Sequence, residues 1–259
     1  MQYELQARTS RAFIFFSEID NLQNFIFIQN QNFFKNKNFF LSEKLYIFAN
    51  KLNYKIMAYS DFTLKELHSK FGLNNKVSPL FQKFEPIEPS DWLKTTLTTA
   101  AQLPIRSEKA KSETIVFPIL LELRVRNNNF ITFFSGDSLV ADETSGLKGE
   151  CDFIITKDTG TYDINFPIIQ VVEAKKNDID LGIPQCAAQM VGAKVYNEKN
   201  DAKIAKIYGC VTTGEEWVFM KLENEIIIDK RKYFLNELGE LLSVFQHIID
   251  EYKTMIINA

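Results

Sequence analysis

Residues 167–176 read PIIQVVEAKK. Its apolar side chains fall on both parities, so a strand built from them is apolar on each face. Strands of that kind occur where helices cover both sides of a sheet. This one stretch commits the chain to a layered α/β architecture. It also sets a chemical problem, because Glu173 and Lys175 lie within the run. A charge on a covered strand needs a partner, a metal or a substrate. Period two puts Ile169, Val171, Glu173 and Lys175 on one face and Ile168, Gln170, Val172 and Ala174 on the other. Glu173 and Lys175 then stand about 6–7 Å apart along the strand. A carboxylate that can hold a divalent cation, beside an ammonium that can steady an attacking water or a charged phosphate, suits metal-assisted hydrolysis of a phosphodiester. The plainer alternative is a strand end emerging into solvent, with Lys175 and Lys176 as its charged edge.

The flanking periodicities supply the other layers. A helix is expected over 107–124, loosened by Pro118, then strands at 130–136, 149–156 and 167–175. A helix follows at 183–197 with Pro184 in its first turn, then strands at 205–213, 217–222 and 225–230. The stretch 236–256 is a terminal helix with an apolar stripe at Leu238, Leu241, Leu242, Phe245, Ile248 and Ile249. This is an α/β sandwich around a central mixed sheet, in the order αβββαβ, with a C-terminal helix. Upstream, Ser60 or Asp61 is the expected cap of a short helix from Thr63, and Ser90 of a helix through 91–103. No G-x-G-x-x-G or P-loop follows any of the strands, so nucleotide binding of those two kinds has no support.

Composition divides the chain further. Residues 1–56 carry 10 of the 23 Phe and eight Asn with weak periodicity. They read as an Asn/Phe-rich extension that need not belong to the natural protein, since Met57 also reads as a start. A chain beginning at Met57 is expected to fold as well as the whole. Residues 57–104 read as a helical N-terminal segment, and 105–259 as the α/β domain, which the resemblance given below implies to be a nuclease domain.

A net charge of −3 excludes a basic arm that coats nucleic acid without selectivity. His68 and His247 are the only two histidines, and the cysteines are three and scattered, so a zinc site is a poor fit. The odd, widely spaced Cys151, Cys186 and Cys210 suit a reducing, cytoplasmic compartment better than a disulfide framework. No apolar run approaches the 18 or so residues of a spanning helix.

Asp152, in GECDFIIT, supplies a second acid on the strand before 167–175. Two acids on neighbouring strands near an apolar core need a cation or a proton between them. Oxygen ligands without histidine favour Mg²⁺ or Mn²⁺. The 107–124 helix offers Glu113 or Glu122 as a third acid. On a regular helix Glu113 lies about 70° from the centre of the apolar stripe and Glu122 about 110°, so Glu113 borders the sheet. Gln185 and Gln189 on the 183–197 helix, with Lys176 beside them in sequence, are candidates for contacting a nucleic-acid backbone. Asp158 and Asp163 read as loop acids.

These segments resemble the PD-(D/E)XK nuclease superfamily, most closely the nuclease domain of type I restriction endonuclease large subunits and their stand-alone relatives. The resemblance covers about 105–215 and implies a restriction-endonuclease-like core that cuts DNA rather than RNA. It implies that Asp152 and Glu173 hold Mg²⁺ or Mn²⁺ with the Ala174 carbonyl as a further ligand. Lys175 would lie near the nucleophile, and Glu113 would be the helix acid of SETIVFPIL. The family's Gln-x-x-x-Tyr helix matches at Gln185 and departs at Gln189. A homodimer or a partner protein would supply sequence preference. The alternative within the same resemblance is an inactive nuclease-like module that binds nucleic acid or protein.

Overall fold

The structure is a computed structural model that describes residues 57–202 and 204–257; the expectations for 1–56 lie outside the described residues. Its centre is an eight-stranded mixed sheet. The strands are β1 (Asn75–Ser78), β2 (Ile131–Asp142), β3 (Leu147–Lys157), β4 (Ile168–Ala174), β5 (Ile207–Thr212), β6 (Glu216–Leu222), β7 (Ile226–Asp229) and β8 (Tyr233–Phe234). They run in the order β1-β7-β6-β5-β4-β3-β2, with β8 pairing β6. The β4–β5 and β1–β7 pairs are parallel. The fold is α/β, with helices on both faces of the sheet and a helix at its C-terminal end.

The helices are α1 (Leu64–Phe71), α2 (Asp91–Ala100), α3 (Glu108–Lys111), α4 (Phe117–Arg126), α5 (Ile179–Lys199) and α6 (Leu238–Ile257). On one face Cys186, Ala187, Met190 and Val191 of α5 pack with Ile154, Val171 and Val211. On the other, Val116 with Ile119, Leu120 and Leu123 of α4, and Leu241, Leu242, Phe245, Ile248 and Ile249 of α6, enclose Phe153, Val172 and Trp217. Every residue of β4 is buried, as its two-sided apolar pattern requires. Small residues set the spacing of α5. A Cβ on Gly192 would fall 2.1 Å from the Tyr59 hydroxyl, and one on Gly209 of β5 would fall 2.4 Å from Met190 Sδ.

Four expectations are corrected. The first concerns β4, where alternation places Ile169 with Val171 and Glu173. Instead Ile168 packs on the α5 side with Val171, and Ile169 on the opposite side with Val172. The cause is a register shift: Ile155 pairs with Gln170 but Thr156 with Ile168, so Ile169 is the extra residue of a bulge.

The second concerns the long helix. Ser112–Val116 forms a π-helical turn in which the Phe117 amide donates to the Ser112 carbonyl, five residues back. Pro118 has no amide to give the Thr114 carbonyl, and the widened turn just before it takes up the mismatch. One extra residue rotates the helical phase by about 100°. Glu113 therefore stands 63% exposed beside Lys109 at 3.8 Å. Glu122, read as outward, is 5% exposed. It accepts from the Ser90 amide at 3.1 Å, the Ser90 hydroxyl at 2.7 Å and Arg126 Nη2 at 2.7 Å. Burial works against its charge, but these hydroxyl, guanidinium and amide donors outweigh it and hold the carboxyl below its ordinary range. Glu122→Ala strands the α2 cap and Arg126 together, so we expect a loss of about 2 kcal/mol in urea denaturation at pH 7, with a smaller loss at pH 3.

The third and fourth concern caps. Thr63, not Ser60 or Asp61, caps α1, in a capping box with Glu66. Asp178 caps α5 a turn earlier than expected, which leaves Pro184 inside the helix. Ser90 caps α2 as expected, its side chain accepting from the Leu93 amide.

Candidate active site

The β3–β4 ladder pairs Ile154 with Val171 and Phe153 with Val172. The ladder ends there, and Asp152, the next residue of β3, meets the end of β4 through its side chain, with its charge felt by Glu173. On the other flank of Asp152, the bracketing pairs Ser135–Phe153 and Asp137–Cys151 put Gly136 opposite it. Gly136 has φ of +72°, the left-handed region that favours glycine, and a Cβ there would lie 3.6 Å from Glu150 Oε1.

Glu173 is 2% exposed. Its Oε1 accepts from Lys175 Nζ at 2.5 Å and its Oε2 from Gln189 Nε2 at 2.7 Å. Lys175 also donates to Gln185 Oε1 at 3.1 Å. Asp152 Oδ2 accepts the Ala174 amide at 2.7 Å. The stripe that carries the two amides is the α5 face turned toward the end of β4, because positions 182, 185 and 189 recur on one side of a helix.

Burial pushes the Glu173 carboxyl up to about 7, and the charge of Asp152 adds to the rise, against the pull of Lys175 and Gln189. The Asp152 carboxyl is also raised, first by burial, with the Ala174 amide opposing and Glu108 reinforcing. For Lys175, burial disfavours the ammonium. The charge and hydrogen bond of Glu173, then the fields of Glu108 and Asp152, outweigh that and raise its pKa. Two neighbouring acids are thus each pushed toward the neutral form, and a proton or a cation there would relieve the repulsion between them.

Asp152, Glu173, Ala174, Lys175 and Gln185 thus come together. Gln189 belongs to the same cluster but in another role from the one expected: it is fully buried against Glu173, out of reach of a nucleic-acid backbone. Lys176 is exposed at the rim, and its carbonyl accepts from Lys111 Nζ at 2.7 Å. Glu113 is not brought in. The helix acid whose field reaches both Asp152 and Lys175 is Glu108, one residue after the Ser107 cap of α3. The sequence signal for it was that capped helix start. Of the loop acids, Asp158 pairs with Arg124 at 2.6 Å.

Among the described residues, no group of three or more His, Cys, Asp and Glu side chains is arranged to hold a metal ion. The donor set at the site is therefore two carboxylates. That fits Mg²⁺ or Mn²⁺ in particular, since Mg²⁺ is usually held by one or two carboxylates and keeps waters or substrate phosphate for the rest of its shell. The three cysteines are free and buried. Among the described residues no helix is long and apolar enough to cross a membrane. Compared with known proteins, the chain matches no family model and no curated protein.

Proposed function

We propose that this protein is a Mg²⁺- or Mn²⁺-dependent nuclease that hydrolyses phosphodiester bonds, in DNA rather than RNA, at Asp152, Glu173 and Lys175. The observation that carries the reading is the placement of these three groups. The buried Glu173 carboxyl feels the charge of half-buried Asp152, which accepts the Ala174 amide next to it, and the Lys175 ammonium bonds Glu173 directly. The likeness of Asp152 and the Glu173-x-Lys175 strand to the PD-(D/E)XK superfamily points the same way.

Asp152 and Glu173, with the Ala174 carbonyl, would hold the cation. When bound, it would supply charge for a phosphate oxygen and a water made more acidic. The chain's own residues do the rest. Lys175, held by Glu173 and Gln185, keeps its positive charge at neutral pH and stabilises negative charge developing on the phosphate. Lys176, exposed at the rim, is available to a neighbouring backbone phosphate. A second copy or a partner protein would add sequence preference.

The test is cleavage of single- and double-stranded DNA and RNA by the purified chain, with Mn²⁺, with Mg²⁺ and with a chelator, beside Lys175→Ala. We expect metal-dependent cutting of DNA by the parent and a loss of more than about 100-fold in the variant. One observation favours a second reading, a nuclease-like module that binds without cutting: the described side chains assemble no three-ligand group. A parent that binds DNA but cuts nothing and releases no heat on titration with Mn²⁺ would favour that second reading instead.

A further inference from the structure

Lys175 is the first residue beyond β4, where a lysine would ordinarily extend into water. Its amide is tied to the Thr212 carbonyl at 2.7 Å, which holds its backbone in line with β5. Its side chain nevertheless folds back over the sheet and is only 17% exposed. The space that admits it is made by Gly182, buried near the start of α5. A Cβ built on Gly182 would lie 2.5 Å from Val211 Cγ1, 3.0 Å from Lys175 Cγ and 3.3 Å from Lys175 Cε. Val211 is the β5 neighbour of Glu173. The helix backbone is thus seated directly on the lysine stem and on the strand beside Glu173. Its backbone is ordinary helix, where alanine is the better helix former, so the glycine answers to close approach and not to conformation.

We infer that Gly182 is a positioning residue: its missing side chain leaves the channel along which the Lys175 stem folds back, setting the ammonium between Glu173 and Gln185. An alanine methyl would press on the stem, 3.0 Å from Cγ and 3.3 Å from Cε, and harder on Val211 Cγ1 at 2.5 Å, so the helix cannot keep its seat and the stem its course. Lys175 would then turn outward, leaving Glu173 covered without its cation and Gln185 Oε1 without its donor. The catalytic consequence rests on the proposed hydrolytic role of Lys175; the placement of the side chain does not.

The experiment uses the full chain, without metal or nucleic acid, and reads the rate at which Lys175 and Lys176 are acylated by an amine-selective reagent, mapped by mass spectrometry. In the parent, Lys175 should react much more slowly than exposed Lys176. In Gly182→Ala its rate should rise several-fold toward that of Lys176, whose own rate stays put. Gly182→Ala/Val211→Ala relieves the contact with β5 but not the one with the lysine, and it serves if the single variant does not fold. It should show the same rise. Parent-like protection of Lys175 in either folded variant would overturn the inference. In the hydrolysis assay, Gly182→Ala should lower kcat by at least about tenfold with KM for the oligonucleotide unchanged. If the labelling changes as stated while the parent cuts nothing, the positioning stands and the nuclease reading falls.

Discussion

Asp152→Asn and Glu173→Gln will each remove metal-dependent hydrolysis, by more than about 100-fold, while the metal-free proteins remain folded. Both substitutions keep shape and delete one negative charge. The side-chain oxygen that Asp152→Asn retains can still accept the Ala174 amide, which Asp152 accepts at 2.7 Å. Removing either charge also relieves the repulsion that raises Glu173, since the field of Asp152 is the second cause of that rise after burial. Affinity for nucleic acid measured without metal should hold or rise, because a carboxylate facing a phosphate repels it. The measurements are paired cleavage and binding curves, with and without Mn²⁺, for the parent and both variants. A module that only binds would give no cleavage in the parent and would lose affinity chiefly when Lys175 or Lys176 is removed. Variants that cut as well as the parent would exclude Asp152 and Glu173 from the chemistry.

The second large effect is on stability against pH. The Glu173 carboxyl has an ordinary value of 4.5 and is pushed up to about 7 in the fold, chiefly by burial. The folded state therefore holds a proton that the unfolded state has lost between those values. The contribution of Glu173 is full below pH 4.5 and falls away as pH rises toward 7. That interval corresponds to about 3 kcal/mol. Acids held low by their partners, buried Glu122 and half-buried Glu251, act in the opposite sense. The readout is accordingly the difference between parent and Glu173→Gln in urea midpoints from pH 4 to 8, without metal. The variant should gain on the parent steadily from pH 5 to 7. On the proposed metal role, Mn²⁺ should reverse the gap by stabilising the parent more at pH 8, where the carboxylate is charged, than at pH 6. Parallel curves for the two proteins, or an equal effect of Mn²⁺ on both, would show that Glu173 neither titrates in this range nor meets a cation.

Much of this site could be read from local pattern, and the part that could not has particular causes. The strand 168–174 was legible because its apolar residues fall on both parities, and Glu173 and Lys175 followed from period two. That parity holds only down to Val171. Below it the bulge at Ile169 exchanges the faces, and a bulge is a mismatch between two strands that neither strand states alone. The four-residue β1, polar and exposed, carries no strand pattern of its own and exists because β7 offers it a parallel edge. Glu113 was placed on a regular helix of constant phase. The π turn ahead of Pro118 breaks that constancy, and α2, through Ser90, covers the flank on which Glu122 lies.

The amides of α5 show the same division. Their spacing puts Gln185 and Gln189 on one helical face, but how deep that face lies depends on how closely the helix can approach. Gly182, Gly192 and the alanines between them let α5 settle until Gln189 reaches Glu173 rather than solvent. Glu108 enters the site through its nearness in space to Asp152 and Lys175, both of which are remote from it in sequence. By itself, then, the sequence determined the central strands β2 to β7, the helices packed on them and their order, and set Glu173 and Lys175 two residues apart at one strand end, because those depend on periodicities of two and 3.6 residues within single segments. Only the tertiary structure decided the bulge, the π turn, the third acid and the burial of Gln189, because each depends on where one segment stops against another.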